Sequence, residues 1–190
     1  MFCHFEWLSA LILLSAQGTP LQERPAESKD YAIYNLILDN LPQGATRQTA
    51  LIFNRTTTRD PSFRRSVLRV FPREYPDSAL VDSLASGTGA FRPHTLDVER
   101  FGSGVRLIDP GRVRSFFLTR DRAWERFRAA YPGIQSFVQL SNVVYGPDGS
   151  TALVYASVSC GSLCGQGTLY FLTRDGEIWR VKHAIGVWVS

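Results

Sequence analysis

The sequence predicts an α+β domain: an N-terminal helix and strand, a helical middle, and a C-terminal antiparallel meander of four or five strands packed on helices. Three observations carry this reading. Up to Tyr131 the apolar residues recur largely at helical spacing, whereas from Gln135 they alternate. Pro147-Asp148-Gly149 and Asp175-Gly176 are hairpin signals within the alternating part. Between them, Thr151 to Ser159 sets Ala152, Val154, Ala156 and Val158 on one face and Leu153 and Tyr155 on the other, as a central strand covered on both sides requires.

Taken in order, Leu8 to Ala16 is a short apolar run followed by Ala16-Gln17-Gly18. A helix needs about 20 apolar residues to cross a bilayer, so this run reads instead as the core of a secretory signal peptide over residues 1–18. Met1 to Trp7 lacks the Lys or Arg that usually opens such a segment, and Cys3 precedes the apolar run, so it is no lipid-attachment cysteine. Residues 19–28 read as a flexible leader and 29–190 as one domain, long enough to bury a core without depending on disulfides. The expected product is exported, periplasmic or secreted, and does not span the membrane after cleavage.

Ser28 is the expected cap of a helix from Lys29 to about Asn40, with Tyr31, Tyr34, Ile37, Leu38 and Leu41 on its apolar face and Pro42 beyond its end. Thr49 to Thr56 reads as a strand, and Asn54-Arg55-Thr56 matches a glycosylation sequon. Ser62 to Val70 and Ser78 to Ala85 read as short helices, and Ser86 to Pro93 as loop. Asp109-Pro110 predicts a capped helix reaching Phe117. A further helix over 121–131 places Trp124, Phe127 and Tyr131 on one face and turns Arg122, Arg126 and Arg128 outward. The strands expected after it are Gln135 to Tyr145, Thr151 to Ser159, Thr168 to Arg174 and Glu177 to Ala184, with a bulge at Gly186 before Val187-Trp188-Val189.

Nineteen of the 21 basic residues are Arg, concentrated between Arg47 and Arg128 but scattered singly among acids. No aromatic–basic strip accompanies them, so the pattern reads as a solvated mixed-charge face and not a nucleic-acid surface. No Gly-x-Ser-x-Gly elbow, His-Glu-x-x-His pair or dinucleotide fingerprint occurs, and Gly102-Ser103-Gly104 lacks the Lys-Ser/Thr of a phosphate loop. No cofactor or metal is expected.

Cys160-Gly161-Ser162-Leu163-Cys164-Gly165-Gln166-Gly167 holds the two cysteines that remain after the leader. In an exported chain they read as a disulfide staple worth at most roughly 2 kcal/mol in the chain-entropy model, and the three glycines suit an unusual backbone. If a site exists, Gly161, Ser162, Leu163, Gly165, Gln166 and Gly167 form the loop to look at. The rival reading is a reactive thiol at Cys160 or Cys164 with His183 or His94 as base. Metal binding by both thiols and His183 lacks a second ligand pair with zinc-like spacing. Asp97 and Glu99, on one side of an extended segment beside His94, are the carboxylates that glycoside hydrolysis would use, against the simpler reading of a solvated loop. Trp179 and Trp188 read as core residues in preference to the walls of a groove.

A set of local patterns remains: Trp124-Glu125-Arg126-Phe127 leading to Tyr131-Pro132-Gly133, Leu140 to Tyr145, Ala152-Leu153-Val154-Tyr155, the Cys-Gly and Cys-Gly-x-Gly pieces, Trp179, and the ending Trp188-Val189-Ser190. This set resembles a family of uncharacterised exported bacterial proteins over roughly Arg120 to Ser190, with weaker similarity around Tyr31 to Asn54. The chain departs from the family at Asn142 to Tyr145, where relatives often show Arg-Val-Gly-Phe. The resemblance implies export and a single-domain sheet, and no activity. The expectation is therefore a non-catalytic exported domain with a binding or envelope role and an unidentified envelope or small-molecule partner. The alternative is a cysteine- or carboxylate-dependent hydrolase built around Cys160 to Gly167 and His183.

Overall fold

The computed structural model describes residues 24–41, 45–46, 48–57, 78–86, 93–119 and 121–190. The signal-peptide reading, the expected helix over 62–70 and most of the loop before Pro93 lie outside these residues.

The change of period at Gln135 marks where the antiparallel part begins. β5 (Ser136–Leu140), β6 (Val144–Tyr145), β7 (Thr151–Gly161), β8 (Cys164–Asp175) and β9 (Ile178–Val189) form the meander, β5 and β6 sharing one edge of β7. Gly149 and Gly176 take positive φ of 70° and 58° in its turns, as Asp-Gly turns require. On β9 the register slips twice: Thr168 pairs Gly186 while Gly167 pairs Trp188, and Leu172 pairs Val181 while Phe171 pairs His183. Val187 and Lys182 are the extra residues, so the bulge expected at Gly186 falls one position later and a second joins it.

β2 (Ala50–Phe53) extends this sheet by pairing in parallel with β5 on one side and with β4 (Arg106–Ile108) on the other. The full order is β4-β2-β5-β7-β8-β9, with β6 alongside β7. β4 is absent from the sequence reading, because three residues are too few to display a period. A second, two-stranded sheet pairs β1 (Arg24–Pro25) with β3 (His94–Thr95), and Ala26 beside it is buried. Arg24 and Pro25, inside the expected flexible leader, are thus paired. Among the described residues, no helix is long and apolar enough to cross a membrane.

Helices cover both faces of the sheet. α1 (Ser28–Asp39) lies on one face, where Ile33, Tyr34, Ile37 and Leu38 meet Ala50, Ile52, Val138, Leu140, Val154 and Leu172. On the other, α2 (Ser78–Ser86) brings Leu80, Val81 and Leu84 against Leu153, Tyr155, Leu169 and Phe171. Beside it α3 (Pro110–Phe116) and α4 (Ala123–Ala130) bring Val113 and Phe127 against Leu51, Phe53, Ile108 and Phe137. The alternation in β7 therefore divides its side chains between two apolar layers.

Helix α1 begins one residue from expectation. Glu27 is its N-cap, and the Glu27 N–H donates to Asp30 Oδ2 at 3.1 Å, because Asp30 stands at the third helical position where a carboxylate reaches back. Ser28, expected to cap, instead accepts from Arg100 Nη1. In α4, Trp124 stacks on Phe137 (5.5 Å, 10°), and Phe127 is fully buried. The outward arginines are engaged: Arg126 donates to the carbonyls of Phe116 and Thr119 at 2.8 Å each, tying down the α3–α4 connection.

The largest departure concerns the glycines after Cys160. None of Gly161, Gly165 and Gly167 has positive φ; β7 runs to Gly161 and β8 starts at Cys164, leaving only Ser162-Leu163 as the turn. Gly165 and Gly167 serve space, not flexibility. The Trp188 indole lies over β8 and donates to Tyr155 Oη at 2.7 Å. A Cβ on Gly167 would stand 2.5 Å from that oxygen and closer still to the indole nitrogen, and one on Gly165 would stand 2.7 Å from Ser190 Oγ. Gly167→Ala should therefore cost about 1–3 kcal/mol by overpacking in denaturant unfolding. Gly186→Ala, with nothing within 4 Å of the new carbon, should change stability by less than about 0.5 kcal/mol. Equal effects at the two positions would remove the close-packing explanation.

Candidate functional site

Cys160 and Cys164 are at disulfide distance across the β7–β8 hairpin, Cα atoms 5.0 Å apart. Arg128 braces this tip from α4, donating to the Cys160 carbonyl at 3.1 Å with its guanidinium 5.7 Å above the Trp124 ring. Ser162 and Leu163 are exposed, Gly161 and Gln166 half-buried, and Gly165 and Gly167 buried beneath Trp188. Trp188 and Trp179 are each half-buried at the margin of an apolar layer, on opposite faces of the sheet.

The structure does not bring the proposed bases to the sulfurs. His183 is opposite Phe171, seven positions along β8 from Cys164, which at about 3.3 Å per residue separates them by about 23 Å. His94 belongs to the separate two-stranded sheet. A general base must come within about 3 Å of the proton it takes, so a Cys–His nucleophile is not assembled. Asp97 and Glu99 lie in and before a 3₁₀ turn (Val98–Arg100), not on one side of an extended segment. Asp97 accepts from the Glu99 N–H at 3.0 Å and faces Arg100 Nε at 3.6 Å. Among the described residues, no three His, Cys, Asp or Glu side chains converge as a metal site.

Instead, a cleft of about 430 Å³ opens at the carboxyl end of β2. Parallel pairing creates it: β2 and β4 end side by side, and each chain then turns away. After Phe53 the first chain continues through Asn54-Arg55-Thr56-Thr57, held by bridges from Arg55 to Thr95 and from Thr57 to Ser141. After Ile108 the second enters α3 through Asp109-Pro110. Asp109 serves both: Oδ1 accepts the Gly111 and Arg112 N–H groups at 2.7 and 3.1 Å, while Oδ2 takes Arg55 Nη2 at 3.2 Å.

Phe53, Val113, Phe117 and Phe137 make the floor, with Phe53 stacked on Phe137 at 5.6 Å. Arg55, Thr56, Thr57, Arg114 and Gln139 supply the polar rim, between Pro93 and Pro110. The Thr56 hydroxyl is already engaged, donating to Asn142 Oδ1 and accepting the His94 N–H at 2.7 Å. Thr56 is 1% exposed, so the third residue of the apparent sequon is folded into the wall of the cleft, and Asn54, which would carry a glycan, is half-buried. Sequence reading registered two pieces of this site, Asn54-Arg55-Thr56 and Asp109-Pro110, but assigned them other roles. What joins them is the pairing of strands more than fifty residues apart.

A second polar cluster is structural. Asp30, 4% exposed, accepts from the Glu27 N–H and from Tyr145 Oη at 2.8 Å, locking the start of α1 to β6. Burial raises its carboxyl above the usual range, opposed by the Tyr145 hydrogen bond and then by the Glu27 N–H. Burial and the adjacent carboxylate together push the Tyr145 phenol up as well, so it stays a donor. Comparison of the chain with family models, curated proteins and solved structures finds no match.

Because the folded state holds the Asp30 proton more tightly than the unfolded chain, its contribution is complete below the unfolded value of about 3.9 and fades as pH rises through the folded value. Wild-type stability relative to Asp30→Asn should therefore grow as pH falls from 7 toward 4, in parallel thermal melts. A difference that shrinks over this range would mean that burial does not dominate at Asp30.

Proposed function

We propose that this chain is an exported, non-catalytic domain that binds a small molecule in the cleft at the carboxyl end of β2. One observation carries the binding reading: an apolar aromatic floor beneath a polar rim, in a cleft whose volume lies within the range of small-ligand sites. Among the described lining residues there is no carboxylate, histidine or cysteine, so the rim can orient a ligand but offers no group that exchanges protons near neutral pH. Export is supported by the signal-like N-terminus, by the cysteine pair at disulfide distance, which suits an oxidising compartment, and by the resemblance of the C-terminal third to exported proteins.

Two measurements test the two halves of this reading. A small-molecule library screened by amide NMR should contain compounds that shift Phe53, Thr57 and Gln139 while leaving the β8–β9 turn unmoved. A library that perturbs no residue of the cleft sinks the binding reading. For export, the intact mass of protein recovered outside the cytoplasm should correspond to cleavage near residue 18, and its thiols should alkylate only after reduction. An uncleaved product whose Cys160 and Cys164 alkylate without reduction would refute the localisation.

A further inference from the structure

We propose that the cleft selects a monocarboxylate carrying a flat apolar body, with Arg114 as the anchor of the carboxylate. This rests on the reading of the cleft as a ligand site. The described rim carries two positive side chains and no negative one. Arg55 is oriented and largely offset by Asp109 at 3.2 Å, leaving Arg114 on α3 as the rim cation that faces no acid among the described residues. Thr57 and Gln139 add neutral hydrogen-bonding groups, whereas the Thr56 hydroxyl is committed to Asn142 and His94.

The backbone decides between anion classes. Phosphate sites draw on a cradle of free backbone N–H groups. Here the Gly111 and Arg112 N–H groups at the start of α3 are taken by Asp109 Oδ1, so among the described residues this helix start offers no free cradle and the rim offers a guanidinium. A guanidinium fork matches the two oxygens of a carboxylate. The rest of the ligand meets aromatic surface: Phe53 and Phe137 stack at 5.6 Å, and Phe117 meets Phe137 edge-on at 6.0 Å. A cleft of about 430 Å³ accommodates a ring and a short acidic arm.

The test is titration of the full chain with phenylacetate, its neutral amide phenylacetamide, and inorganic phosphate, followed by calorimetry and amide NMR. The acid should bind about tenfold more tightly than the amide, the increment expected for a charge-assisted hydrogen-bonded pair, and phosphate should not bind. Arg114→Gln should abolish the preference for the acid, and Arg114→Lys should retain part of it. Arg112→Gln should leave it intact, because Arg112 stacks on Phe116 at 5.6 Å and does not line the cleft. Acid and amide binding equally to the wild type, or an undiminished preference in Arg114→Gln, overturns the carboxylate assignment while leaving the cleft a ligand site. Phosphate binding more tightly than the acid overturns it too. If neither aromatic probe nor any library compound shifts the cleft resonances, both readings fall together.

Discussion

Everything on the helical side of this domain depends on a four-residue strand being accepted in parallel between two others. Ala50 to Phe53 is buried throughout, its even positions facing α1 and its odd positions facing α3 and α4. Such a strand needs apolar side chains on both faces and hydrogen-bonding neighbours on both edges, and β4 and β5 provide the edges. Its carboxyl end then has nowhere to go but outward, beside the end of β4, which is how Arg55 comes to meet Asp109 and how the cleft acquires its walls.

The buried polar groups hold this arrangement in register. Tyr34 Oη donates to the Ser141 carbonyl, and the Tyr155 N–H donates to Ser141 Oγ, so the junction between β5 and β6 is fastened both to α1 and to β7. Asp30 does the same for β6 itself through Tyr145. The Tyr34 and Asp30 bonds connect α1 to segments far along the chain, and each would leave a buried group unsatisfied if the helix shifted by one residue. Packing by Ile33, Ile37 and Leu38 supplies burial but little discrimination between neighbouring registers; the polar contacts supply the discrimination.

What sequence could reveal divides along the same line. The meander was legible because its strands are consecutive, its turns carry Asp-Gly signals, and alternation is visible within β7 and β8 alone. The Asp109-Pro110 helix start and the Trp124–Phe127–Tyr131 face were legible for similarly local reasons. The parallel placement of β2 was not, since its partners Arg106 to Ile108 and Ser136 to Val138 lie far along the chain and nothing in Leu51-Ile52-Phe53 names them. The cleft was hidden with it. Gly165 and Gly167 were visible as glycines, but their reason is an indole that arrives more than twenty residues later. A local reading takes a glycine for a bend, and only the fold reveals it as room for a ring.

The two register slips on β9 have a consequence for how the molecule meets others of its kind. Among the described residues β9 closes the sheet, and an edge twelve residues long would, if straight, present a continuous row of unpaired backbone groups to any other extended chain. The extra residues Lys182 and Val187 break that row into short stretches out of step with one another, and the first of them adds a cation. A strand approaching from solvent finds no run of matching donors and acceptors longer than a few residues. The irregularity that spoils the ladder with β8 thus keeps an open-edged sheet from serving as a template for aggregation.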